Sequence, residues 1–126
     1  MAVEYPKSYK YTKDHEWVEQ KGAVVRVGIT VFAQQQLGEL VYVELPEVGK
    51  EVKKGETLCI VESTKAASDV YAPVSGKVLA VNSALGRDPS LIDKSAHLEG
   101  WICEIEITSS QELDEMVNAD EYQKMI

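Results

Sequence analysis

Short runs of β-branched and aromatic residues, each cut off by a turn signal, constrain this chain more than any other feature. Glu16-Trp17-Val18-Glu19-Gln20 runs into Lys21-Gly22, and Ala23-Val24-Val25-Arg26-Val27-Gly28-Ile29 follows, which is the pattern of a β-hairpin. Further strands are expected from Leu40 to Leu45, stopped by Pro46, from Thr57 to Glu62, from Asp69 to Ala72 and from Gly76 to Asn82. Between them, Glu47-Val48-Gly49-Lys50 and Glu51 to Glu56 read as turns. Trp101 to Ile107 alternates: Trp101, Cys103, Ile105 and Ile107 share one face, Glu104 and Glu106 the other. Strands this short bury enough surface only by pairing into antiparallel sheets closed around one core.

Helical character is local. Val31 to Leu37 suits a short helix with Thr30 as its N-cap and Gly38 at its end. Near the C-terminus, Ser109 with Glu112 and Asn118 with Glu121 each form a capping-box pattern. Leu113, Met116 and Val117 lie on one helical stripe, which predicts a helix packed on the strands. Ser83 to Gly100 has little periodicity, contains the turn Gly86-Arg87-Asp88-Pro89, and predicts a long outer loop. The expected fold is mainly β: a small antiparallel barrel or flattened sandwich with a short internal helix and C-terminal helices. One domain is expected over residues 1–126, with Val25, Val27, Ile29, Val43, Ile60, Val78 and Trp101 in its core.

Composition narrows the function. The formal net charge of −8 disfavours nucleic acid, whose phosphates require clustered Lys and Arg. It favours solubility, or partners with basic entrances. No apolar run approaches the roughly 20 residues of a membrane helix. The opening Met1-Ala2-Val3-Glu4-Tyr5-Pro6 has no apolar signal core and carries an early acid, so neither a secretory nor a transit peptide is expected. These features predict a bacterial cytoplasmic protein, or a mitochondrial matrix one if the chain is a mature eukaryotic product. Cys59 and Cys103 lie in separate apolar runs and are expected to be buried free thiols.

The sequence contains no phosphate loop, no dinucleotide-binding glycine motif and no nucleophile elbow. His15 and His97 are too few for a His-rich metal site, and a structural role is expected for His15, which sits between Asp14 and Glu16. The informative stretch is Val61-Glu62-Ser63-Thr64-Lys65-Ala66-Ala67-Ser68-Asp69-Val70, with Pro73-Val74-Ser75-Gly76 beyond it. It places one lysine among small residues between two strands, where an enzyme can reach the amine and acylation would extend it into an arm. Composition alone would also allow an ordinary solvated turn lysine.

The ordered pieces His15-Glu16-Trp17, Val27-Gly28-Ile29-Thr30, Ala33-Gln34, Leu37-Gly38, Val43-Glu44-Leu45-Pro46, Glu62-Ser63, Lys65-Ala66-Ala67-Ser68-Asp69, Pro73-Val74-Ser75-Gly76, Val81-Asn82 and Glu99-Gly100-Trp101 cover nearly the whole chain. In this order and spacing they resemble the H proteins of the glycine cleavage system. The resemblance implies the barrel-sandwich hybrid of lipoyl and biotinyl carriers. It further implies lipoic acid joined by an amide to Lys65, within a hairpin motif of Glu62, Ser63, Ala66 and Gly76. Biotin carriers flank their lysine with methionines; Thr64 and Ala66 stand here, which favours lipoate.

The implied role is that of a carrier rather than an enzyme. A pyridoxal-phosphate glycine decarboxylase would load an aminomethyl group on the arm, a tetrahydrofolate-dependent aminomethyltransferase would take it, and dihydrolipoamide dehydrogenase would reoxidise the dithiol. A lipoate-attaching enzyme must act first. The loaded arm ends in a cationic amine, so Glu16 and Asp69, with Asp14 as a third, are the candidate docking acids. Trp17 is expected to wall their cleft. Two alternatives share the fold: an H-like lipoyl carrier of another pathway, such as sulfur-compound oxidation or lipoate relay, and an unmodified interaction module. Val31, Thr64, Asp93 and His97-Leu98 depart from the family pattern and are expected on surfaces that meet partners.

Overall fold

The computed structural model describes residues 5–126, so the reading of residues 1–4 lies outside the described residues. In chain order the elements are β1 Lys10–Tyr11, β2 Glu16–Lys21, β3 Val24–Ile29, α1 Val31–Leu37, β4 Leu40–Glu44, β5 Glu51–Val52, β6 Thr57–Ser63, β7 Ala67–Tyr71 and β8 Gly76–Val81. The chain then continues through α2 Ala84–Arg87, α3 Ser90–Ser95, β9 Cys103–Ile107, α4 Gln111–Asp114 and α5 Ala119–Met125. Among the described residues, six strands form one sheet in the order β1-β2-β3-β9-β8-β5, and three form a second in the order β4-β6-β7. Adjacent strands pair antiparallel throughout.

Alternation sets which side chains meet. In β3, Val25 and Val27 point inward and pair with Ile105 and Cys103 of β9, all four fully buried. On the outer face of the same pair, Arg26 donates to the Glu104 carboxylate at 3.0 Å and lies 4.5 Å from the centre of the Trp101 ring. Val43, Val61, Val70 and Val78 also belong to the main core. Each such side chain stabilises the fold by roughly 1.5–3 kcal/mol through burial. Cys59 and Cys103 are free, buried thiols, and burial pushes the Cys59 thiol up to about 12.

A second apolar cluster joins Tyr9, Tyr11, Trp17, Ala119 and Tyr122, and so fastens α5 to β1 and β2. Trp17 is fully buried and faces Gly28 across the β2–β3 ladder. A Cβ at position 28 would lie 2.6 Å from the indole ring, so glycine is what lets the ring lie flat there.

Several expectations need correction. The segment from Ser83 to Gly100 is not a loop: α2 and α3 bury Leu85 and Ile92 completely. Helices of one or two turns are too short to show a period. Glu51–Val52 pairs with β8, so the turn expected from Glu51 to Glu56 begins only after Val52. Ser109 caps nothing by a capping box: α4 starts after Ser110, and the Glu112 carboxylate instead accepts from the backbone N–H and hydroxyl of Ser75. The stripe of Leu113, Met116 and Val117 is broken, because α4 ends at Asp114 and Val117 bridges to Tyr11 as extended chain. Ile60 and Trp101 are half-buried rather than core, and Ile102 takes the interior place.

Thr30 and Asn118 cap α1 and α5 as expected, the latter through a complete capping box with Glu121. The two clusters fill themselves without any cofactor. The unmodified protein is therefore expected to melt in one cooperative transition and to bind hydrophobic dyes weakly. Non-coincident transitions by fluorescence and circular dichroism would contradict this.

Candidate functional site

The β6–β7 hairpin carries Lys65 at its tip. Ser63 makes the turn: its backbone N–H donates to the Ala66 carbonyl at 2.7 Å. Its hydroxyl accepts from the N–H groups of Lys65 (3.2 Å) and Ala66 (3.0 Å) and donates to the Ala66 carbonyl. The Thr64 N–H donates to the Glu39 carbonyl at 3.1 Å and so ties the tip to the start of β4. Ser63 is buried, whereas Glu62, Thr64, Lys65, Ala66 and Ala67 are exposed. An exposed amine thus stands on a clamped turn, among side chains too small to cover it.

Glu62 pairs with Tyr42 on one side and Ala67 on the other, and faces outward. Gly76 is not part of this hairpin. It lies in β8 of the other sheet, where a Cβ would fall 2.1 Å from the Glu106 carbonyl oxygen. Its glycine serves close strand packing.

Glu16, at the start of β2, is buried at 3% exposure beside a cleft of about 420 Å³. Thr12, Asp14, Glu16, Tyr71 and Met116 are among the residues lining it. The Thr12 hydroxyl donates to the Glu16 carboxylate at 2.7 Å and accepts the N–H groups of Asp14 and Glu16. The carboxylate also accepts the backbone N–H of Tyr71. Burial pushes the Glu16 carboxyl up to about 7, with Asp14 adding to the rise and the Thr12 and Tyr71 hydrogen bonds opposing it.

Of the three candidate acids, Glu16 and Asp14 line the cleft, and Asp69 is not among its lining residues. Asp69 is exposed on β7, where Ala67, Asp69 and Tyr71 alternate on one face from the lysine tip to the cleft. That row is roughly 13 Å long at about 3.3 Å per residue. Trp17 does not wall the cleft, because it alternates to the opposite face from Glu16, where its indole N–H donates to the Ala96 carbonyl at 3.0 Å. Sequence reasoning missed Thr12 and Tyr71, which no motif marks.

His15 holds the turn that carries Glu16. Its φ of +70° is a strained value for a non-glycine residue. Hydrogen bonds link the Tyr122 hydroxyl to His15 Nδ1 (2.7 Å) and to Thr30 Oγ1 (2.8 Å), and the His15 carbonyl accepts from Thr30 N–H. Burial lowers the His15 pKa. The structural role expected of His15 is the one observed. Tyr122→Phe strips a fully buried hydroxyl from two partners and is expected to cost on the order of 1–2 kcal/mol, measured by urea unfolding. A change near zero would show that the bridge contributes nothing.

The expected partner-facing departures are partly internal. Asp93 accepts from Gln34 Nε2 at 2.8 Å and from the Leu40 N–H at 3.2 Å. His97 Nε2 accepts the Val31 N–H at 3.1 Å. Thr64 and Leu98 are exposed. The sequence pattern of glycine cleavage H-proteins matches residues 9–126.

The chain belongs to the glycine cleavage H-protein family.

It is similar to the glycine cleavage system H protein of Thermotoga maritima, at 52% identity over 118 residues, covering 94% of this chain and 95% of that one. The H protein of an Anaeromyxobacter species is 48% identical over 124 residues, covering 98% and 97%. The crystal structure of the H protein from Mycobacterium marinum superposes with a TM-score of 0.88 at 40% identity, covering 95% of this chain and 97% of that one. Family membership makes this chain a lipoyl carrier of glycine cleavage, a covalent lipoate protein rather than an enzyme, with partner enzymes in that system. Among the described residues, no helix is long and apolar enough to cross a membrane.

Proposed function

We propose that Lys65 is the lipoate attachment site of this H-family carrier and that the Glu16 cleft holds the charged end of the loaded arm. The observation that carries the first part is the exposed lysine on a turn clamped by Ser63. The residues fit the group: a primary amine is accessible for amide formation, and a row of outward positions on β7 leads to a cleft with a buried carboxyl. Bound lipoate supplies a dithiolane that accepts an aminomethyl unit and two electrons.

This chain's own residues do the rest. Ser63 fixes the base of the arm. Glu16 and Asp14 offer acceptors to a cation, and Thr12 orients the Glu16 carboxyl. Asp69 stands between tip and cleft as a further acidic contact. Near neutral pH an empty cleft holds Glu16 partly protonated; a docked ammonium favours the ionised form and releases a proton.

The proposed partners are the pyridoxal-phosphate glycine decarboxylase, the tetrahydrofolate-dependent aminomethyltransferase, dihydrolipoamide dehydrogenase and a lipoate-attaching enzyme. The bacterial relatives support a bacterial cytoplasmic setting. The test is intact mass and peptide mapping of protein from lipoate-replete cells, followed by reconstitution with those enzymes and glycine. Lipoate on Lys65 with turnover supports the reading. Lipoate on another lysine overturns the site; modified protein without turnover overturns the partner set and favours an H-like carrier of another pathway.

A further inference from the structure

Gly38 ends α1 with φ +86° and ψ −162°, a conformation open essentially to glycine alone. It is not only a helix stop. A Cβ built there would lie 2.9 Å from Lys65 Cε, 3.7 Å from Nζ and 4.0 Å from Cδ. The other glycines at positive φ, Gly22, Gly49 and Gly55, have nothing within 4 Å of the same point. Gly38 therefore provides bare backbone across which the aliphatic stem of Lys65 lies.

This seat is built rather than incidental. The Gly38 N–H donates to the Gln34 carbonyl, and Gln34 Nε2 reaches both the Gly38 carbonyl (3.4 Å) and Asp93 Oδ1 (2.8 Å). Asp93 also receives the N–H of Leu40, two residues beyond the glycine. On the other side, Thr64 N–H donates to the Glu39 carbonyl, which fixes the hairpin tip over the seat. Asp93 is thus part of the platform beneath the lysine.

We propose that Gly38 is a positioning residue for the carrier arm: its missing side chain lets the stem of Lys65 lie across the end of α1, which sets the direction in which the amine is presented to the lipoate-attaching enzyme. This rests on Lys65 being the attachment site. A side chain at position 38 displaces Cε, the far end of a flexible lysine, so the effect falls on direction more than on contacts within the body. It should leave the partner's docking surface intact, and so reduce kcat of attachment while sparing KM.

The test uses the full unmodified chain with lipoate, ATP and a lipoate–protein ligase. In wild type, a nuclear Overhauser contact between Gly38 Hα and Lys65 Hε is expected. Gly38→Ala should lose at least fivefold in kcat of attachment with KM within twofold. Gly22→Ala, also at positive φ (+66°) but with open space above it, should stay within twofold in both. Attachment to folded Gly38→Ala at the wild-type rate, or an equal loss in Gly22→Ala, overturns the proposal. If Gly38→Ala does not fold, the wild-type contact decides: its absence overturns the seat, its presence upholds it. Peptide mapping separates the two claims, since lipoate on a different lysine defeats the Lys65 reading while leaving the contact measurable.

Discussion

Lys65→Arg is expected to abolish lipoate attachment completely while leaving stability within about 0.5 kcal/mol of wild type. The residue is exposed at a turn whose hydrogen bonds come from Ser63 and from the backbone of the tip, so arginine preserves the scaffold. What it removes is the nucleophile. An amine must shed its proton to attack an activated carboxyl group, and a guanidinium does not do so in proteins. Attachment is followed as a mass increase after incubation with a lipoate–protein ligase, and stability by urea unfolding. A full mass increase on the Lys65→Arg protein would show that another lysine carries the group.

The second large effect concerns Glu16. Its carboxyl has a pKa of about 7 in the folded protein against 4.5 as its ordinary value. A raised acid pKa means that the folded state binds the proton more tightly than the unfolded state. Its contribution is fully present below about pH 4.5 and is lost as pH rises to about 7 and beyond. The difference corresponds to about 3 kcal/mol between pH 4 and pH 8, at 1.36 kcal/mol for each unit. Glu16→Gln keeps an oxygen to accept from the Thr12 hydroxyl and cannot ionise. It should therefore be more stable than wild type at pH 8 by on the order of 2–3 kcal/mol and close to it at pH 4. Urea unfolding of both proteins at the two pH values checks this; parallel pH profiles would mean that Glu16 is not held protonated.

The same carboxyl should matter in the opposite sense once the arm is loaded. A cationic amine docked beside it favours the ionised form and offsets the cost of burial. Loss of the acid should cost on the order of 1–3 kcal/mol of docking. At 1.36 kcal/mol per tenfold, that is roughly a 5- to 150-fold faster release of ammonia from the loaded arm without the transferase. Wild type, Glu16→Ala and Asp69→Ala are compared. Asp69 is exposed and outside the cleft lining, so its effect should be the smaller. Equal rates in all three would mean that neither acid holds the loaded amine. The oxidised arm lacks the amine and should be indifferent to either change.

Local chemistry was legible in the sequence where neighbours in the chain are also neighbours in space. The lysine turn between two strands, the Thr30 cap and the Asn118–Glu121 box depend on contacts within a few residues, and each occurs as read, although only the structure shows that Ser63 clamps the turn. Period-2 alternation placed Val25, Val27 and Ile105 inside. By itself, then, the sequence determined the strand-rich fold, the exposed lysine between two strands and the acid beside the first hairpin. Only the tertiary structure decided which distant groups meet. Glu112 bonds to Ser75 instead of closing its own helix cap, and Asp93 accepts from Gln34 and from the Leu40 N–H, distant in the chain. Trp17 turns to Gly28 while its neighbour Glu16 is desolvated against Thr12 and the Tyr71 backbone. A carboxyl's pKa and a lysine's direction are set by the low-dielectric surroundings and close packing that distant segments create on folding, and no local pattern encodes them.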